Sequence, residues 1–133
     1  MTKLKQIKSR ELKIIKLLNL KGWDLKPSPN QYDVYDAYGR TPKSINCVVE
    51  MKFRNKYYPS KMLEKEKYDA LMKLDCPSFY FVQDPKGIYF FWLNNLQMPP
   101  IVKQNCPDTT FWTNNRVLKD VYLLSEKDKI TKK

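Results

Sequence analysis

The run Cys47-Val48-Val49-Glu50-Met51-Lys52-Phe53 constrains this chain more than any other segment. Its apolar and β-branched residues suit a half-buried strand, and the two-residue period of a strand then puts Val48, Glu50 and Lys52 on one face. Whatever fold the chain adopts must therefore present a carboxylate and an ammonium side by side on a sheet.

The flanking segments supply the rest of an α+β architecture. Residues 4 to 20 carry Leu4, Ile7, Ile14 and Leu18 on one helical stripe, widened by Leu12, Ile15 and Leu17, and Gly22 supplies a stop. Residues 23 to 26 fit a short strand, ended by Pro27 and Pro29. Residues 31 to 38 and 45 to 53 are rich in Tyr, Val and Ile around turn material at 39 to 44, which predicts a hairpin. From Ser60 to Leu74 the residues Leu63, Ala70, Leu71 and Leu74 share a helical face, which predicts a second helix beginning at Ser60. Two aromatic runs, 78 to 83 and 88 to 93, flank Asp84-Pro85-Lys86-Gly87 and predict a second hairpin whose strands are central and covered. Beyond Asn94 only residues 117 to 124 look like a strand. The expected organisation is a single domain over residues 1 to 125 and a frayed, charged tail over 126 to 133.

Composition removes several chemistries. The chain has no histidine, which excludes Ser-His-Asp and Cys-His hydrolysis and H-E-x-x-H zinc chemistry. Its three glycines, Gly22, Gly39 and Gly87, cannot build a phosphate-cradling loop, and Gly87-Ile88-Tyr89 lacks the Tyr-Ile-Gly that would make a GIY-YIG nuclease motif. Cys47, Cys76 and Cys106 are odd in number and widely spaced, so buried free thiols are expected rather than disulfides or a zinc site. No run approaches the ~20 apolar residues of a membrane span, and no signal-peptide stretch opens the chain. The expected setting is the cytoplasm.

Charge points to a partner. Lys and Arg number 25 against 14 acidic residues, a net charge of +11. The excess is concentrated early, where Lys3, Lys5, Lys8, Arg10, Lys13, Lys16, Lys21 and Lys26 face only Glu11 and Asp24. Such an imbalance favours a nucleic acid, since each neutralised phosphate releases a condensed counterion. After the central strand, Arg54, Lys56, Tyr57, Tyr58 and Lys61 interleave cations with rings that could grip a backbone or stack on bases.

Acid-x-Lys occurs four times, at Glu11, Asp24, Glu50 and Asp84, so the tripeptide alone says little. Glu50-Met51-Lys52 differs in lying on an apolar strand, after an acidic hairpin partner and before an amphipathic helix. A hairpin symmetric about residues 41 and 42 sets Asp33 opposite Glu50 and Asp36 opposite Cys47, which favours Asp33 of the two candidate acids. In this arrangement the chain resembles the PD-(D/E)XK nucleases, with a helix, three strands, a helix and a strand matching across residues 5 to 93. Tyr32 stands where that motif has proline. The Arg10-Glu11-Leu12 context and small size are similar to archaeal Holliday junction resolvases.

The resemblance implies a restriction-endonuclease-like αβββαβ core with a central mixed sheet flanked by helices. It implies a nuclease that hydrolyses phosphodiester bonds of DNA, with branched or structured DNA among its candidate substrates, Mg²⁺ or Mn²⁺ as cofactor and often a homodimeric assembly. Asp33 and Glu50 would be metal ligands, with Glu11 a third from the first helix. Lys52 would act on the attacking water, and Lys67, projecting from the same helical sector as Leu63 and Leu71, would be an auxiliary catalytic residue. Two other readings stay open: a nucleic-acid-binding module of this fold without catalysis, and an adaptor whose basic surface meets an acidic protein.

Overall fold

The computed structural model describes residues 3–30, 34–107 and 116–130. The first helix, α1, spans Lys3–Leu20 and buries Ile14, Ile15 and Leu18, while Leu12 and Leu17 stay exposed. It ends as expected at Gly22, whose φ of +105° lets the Trp23 N–H return to the Leu18 carbonyl at 3.2 Å. The Asn19 amide then clamps strand β1 (Asp24–Pro27), accepting from the Leu25 N–H at 2.8 Å and donating to the Leu25 carbonyl at 3.1 Å. This satisfies backbone groups on a strand that, among the described residues, has no neighbour on its outer side.

Strands β2 (Ala37–Arg40) and β3 (Asn46–Phe53) form the first hairpin. Gly39 is required here, because a Cβ at that position would lie 1.9 Å from the Asp24 carbonyl oxygen of β1. Strands β5 (Ser78–Asp84) and β6 (Gly87–Trp92) form the second hairpin. The five strands make a mixed sheet in the order β1-β2-β3-β5-β6, with β3 and β5 parallel and the other pairs antiparallel. Strand β5 is central, as its apolar run predicts. Strand β6 is instead an edge, with Ile88 and Trp92 exposed.

Alternation along β3 divides two cores. Cys47, Val49 and Met51 pack with Ile14, Ile15, Leu18, Phe79 and Phe81 beneath α1. Val48, Tyr80 and Val82 face the opposite way and meet Leu63, Leu71, Tyr122 and Leu124. That second layer differs from the sequence expectation. Residues 60 to 64 are a strand, β4 (Ser60–Glu64), and the helix α2 begins only at Lys65 and runs to Met72. Lys61 and Leu63 are buried and their neighbours are not, a two-residue period that also satisfies a helical reading over so short a span. Strand β4 pairs with β8 (Arg116–Ser125), and β8 with β7 (Val102–Pro107), in a separate antiparallel sheet ordered β4-β8-β7. The strand expected at 117 to 124 is present within β8.

The segment read as a frayed tail is anchored through Ile130. Glu126 accepts from the Tyr57 hydroxyl at 2.5 Å, and the Ile130 N–H donates to the Phe90 carbonyl at 2.6 Å. The result is one α+β domain whose central mixed sheet lies between α1 on one side and α2 with the small sheet on the other. The helix-three strands-helix-strand order expected from the sequence is present, with β4 inserted before α2. Among the described residues no helix is long and apolar enough to cross a membrane.

Candidate active site

The turn between β2 and β3 sets which acid meets Glu50. The Ser44 N–H bonds the Thr41 carbonyl at 2.8 Å and the Thr41 N–H bonds the Ile45 carbonyl at 2.9 Å, with Ser44 at φ +64°. This is a type I turn with Pro42 in its favoured first central position, followed by a left-handed residue. It centres the hairpin on residue 43, so Ala37 pairs with Val49 and Gly39 with Cys47. The expected symmetry about 41 and 42 is therefore corrected by three residues, and Asp36 is not opposite Cys47. Its N–H instead donates to the Val49 carbonyl at 2.9 Å, and its Oδ2 accepts from the Met51 N–H at 2.8 Å. Asp36 is thus held beside Glu50. Asp33, the acid favoured from sequence, lies outside the described residues. The turn itself held the missing signal: Pro42 at its first central position moves the hairpin centre and with it the acid.

Two carboxyls gather around Asp36. Glu50 comes from the middle of β3 with 12% of its side chain exposed, and Glu11 comes from α1 with 7% exposed. Both lie close enough to Asp36 to feel its charge and to share a proton with its carboxyl. Burial, and then the Asp36 charge, push Glu50 up from the ordinary 4.5 to about 8, against the pull of Lys67. The same two causes push Glu11 up to about 7, against the pull of Lys8, whose Nζ lies 3.4 Å from Glu11 Oε1. Glu11, one turn from Ile7 and Ile14 on α1, is buried and lies near the other acids.

Two lysines complete the cluster. Lys67 extends from α2 to place Nζ 3.3 Å from Glu50 Oε2, whereas Lys65 turns outward to Asp69. Lys52 follows Glu50 on the same face of β3 and keeps contact with solvent. Loss of surrounding water, then the like charge of Arg54, hold its ammonium below the usual lysine range, although Glu64 and Glu50 pull the other way. Glu64, at the end of β4, is a neighbour of Lys52 that the sequence reading missed, because it treated that segment as helix. It also accepts from Lys119 at 2.8 Å.

The aromatic and basic loop after β3 divides in two. Lys61 is buried, with Nζ 2.8 Å from Asp84 Oδ2, 2.6 Å from the Tyr58 carbonyl and 3.9 Å from the centre of the Tyr89 ring. Tyr57 is bonded to Glu126 and covered by Lys86. These two serve the protein's interior. Arg54 and Tyr58 line a cavity open to solvent.

The acids form a chain through Asp36, and among the described residues no three acidic or cysteine side chains make a ready ligand cage. Their chemistry nonetheless fits a hard divalent cation. Carboxylate oxygens are the donors such ions take, and Glu50 and Glu11 hold protons near neutral pH chiefly because burial outweighs the pull of Lys67 and Lys8. The three cysteines are free, and the buried Cys47 thiol is pushed up to about 11 by burial and then by Cys76, far from a thiolate ligand.

In fold the chain is similar to Hjc, a Holliday junction resolvase of the archaeal hyperthermophile Archaeoglobus fulgidus. The TM-score is 0.59 at 11% sequence identity, over 90% of this chain and 83% of that one. No family model matches the sequence, and no curated protein matches it significantly. An identity this low makes the likeness one of fold.

Proposed function

We propose that the protein is a metal-dependent nuclease of the PD-(D/E)XK type that hydrolyses phosphodiester bonds in DNA, with Asp36, Glu50 and Lys52 at its centre. The observation that carries this reading is the convergence, on one resolvase-like fold, of Asp36 and Glu50 with two lysines on the sheet and on α2. Asp36 and Glu50 would hold Mg²⁺ or Mn²⁺, with Glu11 completing the oxygen donors from α1. Such an ion, when bound, clamps the scissile phosphate and acidifies a water.

The chain's own residues carry the remaining work. Lys52, which gives up its proton more readily than a free lysine, orients or deprotonates the attacking water and offsets charge on the phosphate. Lys67 balances the Glu50 carboxylate and sets its direction. The backbone bond from Met51 to Asp36 fixes the spacing of the two acids, so the donors need little reordering when substrate arrives. The +11 charge draws the polyanion in.

A second reading, a DNA-binding module of this fold without cleavage, is favoured by Lys67, whose ammonium already lies 3.3 Å from Glu50 where a metal ion would sit. Labelled single-stranded, duplex, flapped and four-way-junction DNA incubated with Mg²⁺, Mn²⁺ or EDTA separates the two. Cleavage that needs the metal is expected; metal-independent binding with every substrate left intact supports the module instead. The same panel names the preferred DNA structure, and sedimentation with and without a junction tests for a homodimer.

A further inference from the structure

One cavity on the active face is not used by the chemistry above. It holds about 320 Å³ between the end of β3, the loop leading to β4, and β7, and its lining includes Arg54, Tyr58, Ser60, Met62, Gln104 and Cys106. Arg54 extends the β3–β5 ladder by one step, its N–H donating to the Gln83 carbonyl at 2.8 Å. It therefore follows Lys52 by two residues, about 7 Å along the strand. Val82, which also lines the cavity, pairs with Lys52 in the register of β3 and β5. The cavity thus opens beside the candidate active site on the same sheet face.

The lining has the chemistry of a nucleotide subsite. Arg54 is half-buried, with the Tyr80 hydroxyl beside its guanidinium and, among the described residues, no carboxylate within ion-pairing distance. The two charges deeper in the wall, Lys61 and Asp84, neutralise each other. Tyr58 is 52% exposed at the cavity, although its carbonyl is tied to Lys61. A fixed backbone with an exposed ring is a stacking platform, and a guanidinium that no carboxylate neutralises is an anion site beside it. The volume sits at the lower end for ligand pockets, suited to one nucleotide and far too small for a base pair and its strands.

We infer that this cavity receives a single unpaired nucleotide next to the bond to be cut, its base stacked on Tyr58 and its phosphate held by Arg54. The inference rests on the nuclease reading for its meaning, and it narrows the substrate class to DNA with an unpaired base at the cleavage point: a flap, a branch or a single strand. Continuous duplex lacks a base free to enter.

Binding in EDTA by Glu50→Gln protein tests this without any need for cleavage. A single-stranded oligonucleotide containing 2-aminopurine and a duplex of equal length serve as probes. Tyr58→Ala is expected to weaken the single strand about tenfold and the duplex less than twofold, with Tyr58→Phe close to the parent. Arg54→Gln is expected to lower the salt dependence of single-strand binding by about one phosphate contact. Equal losses on both probes, or none with Tyr58→Ala, would overturn the subsite. Intact stacking in a protein that never cleaves would instead remove the nuclease reading and leave the subsite standing.

Discussion

Replacing Glu50 by Gln should make the metal-free protein more stable at pH 8 while removing its activity. Glu50 binds its proton more tightly in the folded chain, at about 8, than in the unfolded chain, near 4.5. The folded state therefore gains from the proton fully below pH 4.5 and loses that gain as pH rises through 8. An interval of about 3.5 pH units, at about 1.4 kcal/mol each, sets a ceiling of ~4–5 kcal/mol on the cost of the unneutralised site. A glutamine amide still has to find partners there, and Lys67 loses its carboxylate, so a net stabilisation of about 2–4 kcal/mol at pH 8 is expected. For a domain of this size that raises Tm by about 6–15 °C. Urea or thermal unfolding in EDTA at pH 4.5 and pH 8 measures it, with the gain vanishing at the lower pH. Mg²⁺ should stabilise the wild-type chain at pH 8 and leave Glu50→Gln unmoved. A variant less stable than the parent at pH 8, or a difference that ignores pH, would refute the argument that burial and Asp36 strain this carboxylate.

Other perturbations follow from particular contacts. Asp36→Asn should abolish cleavage and Asp33→Asn should spare it, as read by initial rates on whichever DNA is cut. Because Glu50 and Glu11 hold protons up to about 8 and about 7, cleavage at low Mg²⁺ should climb between pH 6 and 8, and its midpoint should fall as Mg²⁺ is raised; a pH-independent rate would contradict this. Lys61→Met should destabilise by about 3–5 kcal/mol, since it strands a buried Asp84. Burial pushes that carboxyl up, but bonds from Lys61 and from the Lys86 and Gly87 N–H groups hold it below the ordinary range, so its stabilisation is present at neutral pH and fades on acidification. Gly39→Ala should unfold or shift the β1–β2 edge, visible as lost cooperativity on melting, because the added methyl meets the Asp24 carbonyl.

The parts legible in the sequence are those whose signal is local. The α1 stripe and its glycine stop, both hairpins and β8 were read from periodicity and turn residues within a dozen positions. Glu50 and Lys52 shared a face for the same reason. The register of the β2–β3 hairpin was missed because the left-handed position fell to Ser44, which carries none of the glycine or asparagine signal of such turns. Strand β4 was misread because its five residues satisfy helical and strand periods alike, and its partner β8 lies more than fifty residues away. Lys61 looked like a solvated contact for DNA, and only the distant Asp84 and Glu126 reveal it as interior. The same long-range contacts explain why residues 126–130 are docked.

Single-turnover cleavage of single-stranded, duplex, flapped and four-way-junction DNA, by the wild-type chain, Glu50→Gln and Lys52→Ala in Mg²⁺ and in EDTA, tests the central claim most directly. Cutting of at least one of these by the wild-type chain in Mg²⁺ alone is expected, with both variants reduced at least about a hundredfold in rate while still binding the same DNA. Cutting that persists in EDTA or in Glu50→Gln, or binding by all three with no cutting at all, would contradict it.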